Sequence, residues 1–245
     1  MKKIVVISDL QVPFHDVKAV KNVAAFIRKF KPDEVVTIGD EIDFPTISRW
    51  TQGTPGEYAG TIGDDRDQTV QVLYDLQVTQ MIRSNHTDRL YNSIMKRLPG
   101  LLGAPELEFE NFMRLPELGI KFHRKPYEIA PGWIAVHGDH GAINSQPGLT
   151  ALGHARKHGL SVVCGHTHRA GISAFTEASG GRLNRTLWGF EVGNLMDFKQ
   201  ASYTHGTANW QQAFGIIYVD RKKVTPVMVP IERDGSFIVE GKVYG

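Results

Sequence analysis

The sequence predicts an α/β fold of two sheets with helices on their outer faces, in one domain spanning 1–245. Three observations predict it. The chain opens strand–helix–strand, strand-like runs dominate after Pro116, and short polar clusters recur just after the apolar runs.

The first run, "KIVVI" (3–7), is short, apolar and β-branched, the pattern of a buried strand. "VKAVKNVAAFIRKF" (17–30) places Val17, Val20, Val23, Ala24 and Ile27 on one side of a helix, which Pro32 ends. "EVVTI" (34–38) is a second buried strand, so the opening unit implies a parallel pair with a right-handed crossover. Segment 44–65 is rich in Gly, Pro, Thr and Asp and reads as one long loop, a feature that is often functional in compact domains. Helical patterns follow at 66–78, 87–98 and 106–114, with a short strand near 79–83. Beyond Pro116, strand-like runs include "IKFHR", "WIAVHG", "LSVVCG", "RTLWGFEVGN", "AFGIIYV" and "KVTPVMVPI", interrupted by a helix at 149–158. Segment 221–245 reads as strands finishing a sheet, with a dimer contact as the alternative.

Composition is that of an ordinary soluble globular chain, at 41% hydrophobic and 22% charged residues. The single cysteine, Cys164, excludes an internal disulfide and suits a reducing, cytoplasmic compartment. The basic start "MKKIVVISDL" has too short an apolar run for a signal peptide, and no stretch approaches a membrane span. A net charge of +2 makes no case by itself for nucleic acid as a partner.

Five polar clusters follow strands: "SD" (8–9), "GDEID" (39–43), "SNHTD" (84–88), "HGDH" (137–140) and "GHTHR" (165–169). In open α/β sheets ligands bind at the carboxyl ends of strands. Asp, Asn and His together suit Mn, Fe or Zn. Singly, Asp9 or Asp40 could be a turn residue or cap, and His137 could be a hydrogen-bonded structural histidine. His166 and His168, spaced by one residue and preceded by glycine, form a stronger pair.

Taken in order, the clusters resemble the signature of the calcineurin-like metallophosphoesterases: D-x-H, G-D-x-x-D, G-N-H-D/E, H-G and G-H-x-H. The counterparts are Asp9-x-Gln11, Gly39-Asp40-x-x-Asp43, Ser84-Asn85-His86-Thr87, His137-Gly138 and Gly165-His166-Thr167-His168. The resemblance covers residues 4–195 and departs in three places, Gln11 for histidine, Ser84 for glycine and Thr87 for an acid. Its compact size and "NWQQAFGIIYV" also resemble small phage-encoded members.

The resemblance implies a four-layer α-β-β-α sandwich and a site for two divalent metal ions. Mn2+ is the first expectation, with Fe, Mg2+, Zn2+ and Ni2+ as alternatives. One ion would take Asp9, Asp40 and His168, the other Asp40, Asn85, His137 and His166, with Asp40 bridging. It implies His86 as general acid, with Asp43 accepting its other N–H. Gln11 could ligate weakly through oxygen, hydrogen-bond a metal-bound water, or face away. His15 is a weaker candidate for ligation than for a phosphate contact or a structural place. The implied activity is phosphoester hydrolysis by a metal-bridging hydroxide. A phosphodiesterase of nucleotides or short nucleic-acid diesters stands first. A phosphomonoesterase, a DNA nuclease and a non-catalytic metal-binding module follow. Arg49, Trp50, Arg89 and Arg169 are the candidate substrate contacts, and no membrane partner is expected.

Overall fold

The computed structural model describes residues 1–200 and 208–245. Strand β1 (Lys2–Ile7) alternates its apolar residues between two cores. Val5 and Ile7 face the cluster built on helix α1 (Val17–Phe30), while Ile4 and Val6 face a second cluster shared with the other sheet. Both faces are therefore covered, which is why the run reads as continuously hydrophobic.

The first sheet continues through β2 (Glu34–Thr37), β3 (Gln80–Ile82) and β4 (Lys121–His123), all parallel. Antiparallel β10 (Ala213–Asp220) and β11 (Lys223–Pro230) extend it on the other side of β1. Helices α2 (Ile62–Asp75) and α3 (Thr87–Arg97) join its parallel strands. The second sheet runs in the order β5 (Tyr127–Ala130), β6 (Trp133–Ala135), β7 (Ser161–Cys164), β9 (Arg182–Val192), β8 (Ala170–Ser179). Both sheets are mixed. Ile4, Val6 and Val36 of the first meet Trp133, Val163 and Phe190 of the second. Helix α5 (Leu149–His158) packs on the second sheet's outer face through Ala151, Leu152 and Ala155. The result is helices, sheet, sheet, helix, the four layers expected. Among the described residues no helix is long and apolar enough to cross a membrane.

Local chemistry explains where the elements begin and end. Asp16 caps α1 by accepting from Lys18 N and Ala19 N, both at 3.0 Å. The expected helix at 106–114 is instead a 3-10 turn, Pro105–Leu107, and a single helical turn α4 (Phe109–Phe112). Glu108 is extended between them and Arg114 is left-handed, so the apolar spacing never becomes a longer helix. The expected loop 44–65 ends early. Thr61 caps α2 by accepting from Asp64 N at 3.1 Å and donating to its carboxylate at 2.7 Å, so the helix begins at Ile62. Two 3-10 turns, Pro45–Ile47 and Pro55–Tyr58, order that connection.

Strands β5 and β8 were not expected. Both lie at sheet edges, and β8 is half-exposed to exposed along its length, so it carries no apolar run. The Gly180-Gly181 pair between β8 and β9, both residues at positive φ, is the turn that pairs them. The C-terminal expectation is corrected too. Only β11 extends a large sheet, while β12 (Phe237–Val239) and β13 (Lys242–Tyr244) form a separate two-stranded one. That pair closes over Phe26, whose ring lies 5.6 Å from Phe237, 4.9 Å from Tyr244 and 5.6 Å from Phe214. Phe26→Ala should cost ~3–5 kcal/mol of stability, because the aromatic cluster cannot collapse into the space. Urea unfolding followed by circular dichroism measures it, and a loss below ~1 kcal/mol would show that β12–β13 is not part of the cooperative core.

Candidate metal centre

Five polar clusters meet at the carboxyl ends of β1, β2, β3, β6 and β7, where two sheets converge. Their backbone is bent to do so. Asp9, Gln11, Asp40, His166 and His168 all have positive φ, between 53° and 66°. For non-glycine residues this conformation is costly, and such strain concentrates at functional sites. Gly39 and Gly165 give the close approach. A Cβ on Gly39 would stand 2.5 Å from His137 Nδ1 and from Ser84 Cβ. One on Gly165 would stand 1.8 Å from Ser8 Oγ and 2.7 Å from Asp9 Oδ2.

The side chains form two groups that share Asp40, one of Asp40, His137 and His166, the other of Asp9, Asp40 and His168. Within each, one donor atom per residue lies within 4.8 Å of the others. In the first group His137 Nε2 is the hub. It lies 3.3 Å from Asp40 Oδ1, 3.0 Å from Asn85 Oδ1 and 3.2 Å from His166 Nδ1. His137 Nδ1 is 2.7 Å from the Ile38 carbonyl, so it donates there and leaves Nε2 for a ligand. In the second group His168 Nε2 is 3.1 Å from Asp9 Oδ1. Asp9 Oδ2 is already satisfied by Ser8 Oγ at 2.6 Å and His166 N at 3.0 Å.

The donor set fits divalent cations. Asp9 Oδ1 and Asp40 Oδ1 are fully buried, and each faces an imidazole Nε2, of His168 at 3.1 Å and of His137 at 3.3 Å, that donates only when protonated there. Buried carboxylate oxygens left this way are costly unless a cation meets them. The electrostatics agree. Burial opposes charge on both carboxyls, yet His168 beside Asp9 and His137 beside Asp40 outweigh it and hold both below the ordinary range. Burial also opposes charge on His137, but Asp40 outweighs it and pushes the imidazole up to about 10. A proton on His137 thus occupies the electrostatic place of a cation.

Gln11 faces into the second group. Its Nε2 is 3.2 Å from Asp40 Oδ2 and 3.4 Å from His168 Nε2. Of the three options open from the sequence, facing away is excluded. A neutral amide stands where an imidazole would have offered a lone pair. His15 joins neither group. It is buried beside Met196, and burial lowers its pKa despite Asp16 alongside.

His86 lies at the start of α3 with Nε2 3.5 Å from Asp40 Oδ2. Its Nδ1 is 3.2 Å from the Ile42 carbonyl and 3.6 Å from Asp43 Oδ1. The expected Asp43–His86 hydrogen bond is therefore replaced by one to the neighbouring backbone carbonyl. Asp43 is instead paired with Arg89 Nη1 at 3.1 Å, and the Arg89 guanidinium also contacts His86 Nε2. Burial lowers the pKa of His86, Asp40 opposes that, and Arg89 reinforces it. Arg49 lies over the Trp50 ring at 4.5 Å, and both line a 370 Å³ pocket that includes Asn85 and Arg89. Arg169 is not in that pocket. It lies between His168 and the first residue of β8, with a buried Nε that has no hydrogen-bond partner among the described residues.

Two departures from the signature that the sequence resembles act together. Ser84 Oγ accepts from Asp40 N at 3.1 Å and Thr87 N at 3.2 Å, while Thr87 Oγ1 accepts from Ser84 N at 3.0 Å. They pin the bend that carries Asn85 and His86. Sequence reasoning missed two further supports. Glu191, buried in β9, accepts from Thr150 N at 2.8 Å, capping α5, and from Thr167 Oγ1 at 2.8 Å, between the two histidines. Asn194 donates to the His168 carbonyl at 2.9 Å. An acid inside the apolar run "WGFEVG" was the legible signal for Glu191.

Fold and site together define a mixed α/β protein with a candidate Asp/His metal centre at the strand ends. The "Gene 54 protein" of Mycobacterium phage D29 is 41% identical over 99% of this chain and 98% of its own. Its counterpart in Mycobacterium phage L5 is 40% identical over the same shares. The chain belongs to the family of these Gene 54 proteins. No family model matches it. Among solved structures, Vacuolar Protein Sorting 29 from Cryptosporidium parvum aligns over 99% of this chain and 94% of its own, with TM-score 0.47 and 14% identity, too little to bear on activity.

Two substitutions test the centre. Gly165→Ala should displace Asp9 and abolish tight cation binding, seen by calorimetric titration with Mn2+; unchanged binding would remove Asp9 from the ligand set. Gln11→His should raise the stoichiometry of tightly held Mn2+ relative to wild type in the same titration. An unchanged stoichiometry would show that Gln11 does not limit the second group.

Proposed function

We propose that this protein is a metal-dependent phosphoesterase, and that it prefers phosphodiesters of nucleotides or short nucleic acids. One observation carries the reading: Asp40 is shared by two Asp/His groups, each with a fully buried carboxylate oxygen facing imidazole nitrogen. Asp9, Asp40 and His168 would hold one divalent cation, and Asp40, Asn85, His137 and His166 the other. Mn2+ suits the mixture of carboxylate, amide and imidazole donors. Such cations, when bound, activate water and neutralise charge on a phosphoryl group.

The remaining steps belong to side chains. Arg89 reaches from Asp43 toward the centre and is placed to meet a phosphate oxygen by charge-assisted hydrogen bonds. When it does so, it leaves His86 Nε2. With the Arg89 charge withdrawn and the Asp40 carboxylate still beside it, the imidazole, held through Nδ1 by the Ile42 carbonyl, takes up a proton from solvent at Nε2 and gives it to the leaving oxygen. Asp43 stays 3.6 Å from Nδ1 and stabilises the charged ring.

Gln11 supports the diester preference. A monoester dianion depends more on two full-strength cations than a diester monoanion does, and an amide weakens the site it enters. Turnover of an aryl diester, an aryl monoester and an alkyl diester with Mn2+ tests both points. Wild type should favour diesters, and His86→Ala should lose ~100-fold or more on the alkyl diester but far less on the aryl one, whose leaving group needs no proton. A strong wild-type preference for the monoester would overturn the diester reading, and equal losses on both diesters would overturn the role of His86.

A further inference from the structure

Beyond Asn85 and Arg89, the 370 Å³ pocket beside the centre has no place in the chemistry just described. It lies between the 44–61 connection and α3. Arg49 and Trp50 form one wall, and Lys96 and Arg97 form the far end of the other. Asn85 and Arg89 link it to the metal centre. Its size falls within the ~300–1,000 Å³ of ordinary small-ligand sites.

Its charge is one-sided. Four cations and no acid line it. Arg89 is balanced by Asp43 and Arg97 by Glu57, each at 3.1 Å. Arg49 and Lys96 have no ion pair among the described residues. Trp50 is 73% exposed, although a tryptophan this exposed on a folded loop forgoes a large apolar burial. The loop that presents it is ordered. Thr51 Oγ1 donates to the Ser48 carbonyl at 3.1 Å, and Thr54 Oγ1 donates to the Thr51 carbonyl at 2.7 Å.

On α3, Arg89 and Lys96 are seven residues apart, which puts them on one face about 10 Å apart along the axis. A cation at each end of that face can meet two different phosphates of one strand. An exposed aromatic opposite them offers a stacking surface to any base, because every base has a π-face. A recess of this volume does not admit a duplex.

We infer that this pocket binds a single-stranded oligonucleotide flanking the phosphate at the centre, with a base on Trp50 and a backbone phosphate at Lys96. The position of the reacting phosphate rests on the phosphoesterase reading, whereas the binding surface does not. It follows that the substrate is a linear strand longer than one nucleotide.

The test separates the two. Fluorescence anisotropy of a labelled octathymidylate is followed with the full-length chain in EDTA, its fold checked by circular dichroism, across a salt series. Trp50→Ala should weaken binding by about 5- to 150-fold, the range for losing one base stack. Lys96→Ala should weaken it and reduce the slope of log K against log salt by about 0.7, one single-strand phosphate contact. Lys29→Ala, an exposed cation on α1 far from the pocket, should bind like wild type. Equal binding by all variants overturns the inference, as does competition by a mononucleotide or a duplex at the concentration at which the octamer competes. Failure of wild type to hydrolyse any ester with Mn2+ would count against the phosphoesterase reading and leave this binding result standing.

Discussion

Asp40 is a carboxylate buried at 2% exposure, and most of the site is arranged around its charge. Burial alone would protonate it. His137 supplies the main opposing field, and His86 and His166 add to it when they are protonated. His137 comes from the second sheet and Asp40 from the first, so the pair forms only where the two sheets converge. The left-handed backbone at Asp40 and the glycine before it are the local cost of aiming it there.

That constraint propagates outward through hydrogen bonds rather than through apolar contact. Ser84 fixes the Asp40 amide and the turn carrying Asn85 and His86. Glu191 fixes Thr167 and the start of α5 at once, so the loop holding His166 and His168 cannot shift without uncapping a helix. Asn194 and the Trp210 ring, 4.5 Å from His168, close the same loop from the side. The core clusters supply the rigid frame, and these few polar contacts set the direction of each ligand atom.

Much of the fold was legible. The strand–helix–strand opening and the helix at 149–158 stand where the patterns put them, because the strands are short continuous apolar runs and the helices bury one side and stop sharply, at Lys31 and Gly159. Edge strands β5 and β8 were invisible for the opposite reason: half-solvated strands carry little hydrophobic signal. The 106–114 pattern misled because helical spacing can also fall on short turns packed against a core. In the site, the Asp, Asn and His clusters could be picked out from residue type and position after strands. Glu191 could not be placed, since its partners lie 24 and 41 residues away in the chain.

The sequence by itself determined the alternation of buried strands and amphipathic helices, the candidate ligand types, and the place, Gln11, where it departs from the signature it resembles. Those properties are local, set by side-chain chemistry and spacing of a few residues. The tertiary structure decided which atoms converge: that Gln11 turns its amide toward Asp40 and His168, that His15 is set apart, and that Asp43 is held by Arg89 instead of His86. It also placed Trp50 and Lys96 across one pocket from a loop and a helix 46 residues apart. Such choices depend on loop conformation and on charges contributed by distant strands, and no local pattern encodes them.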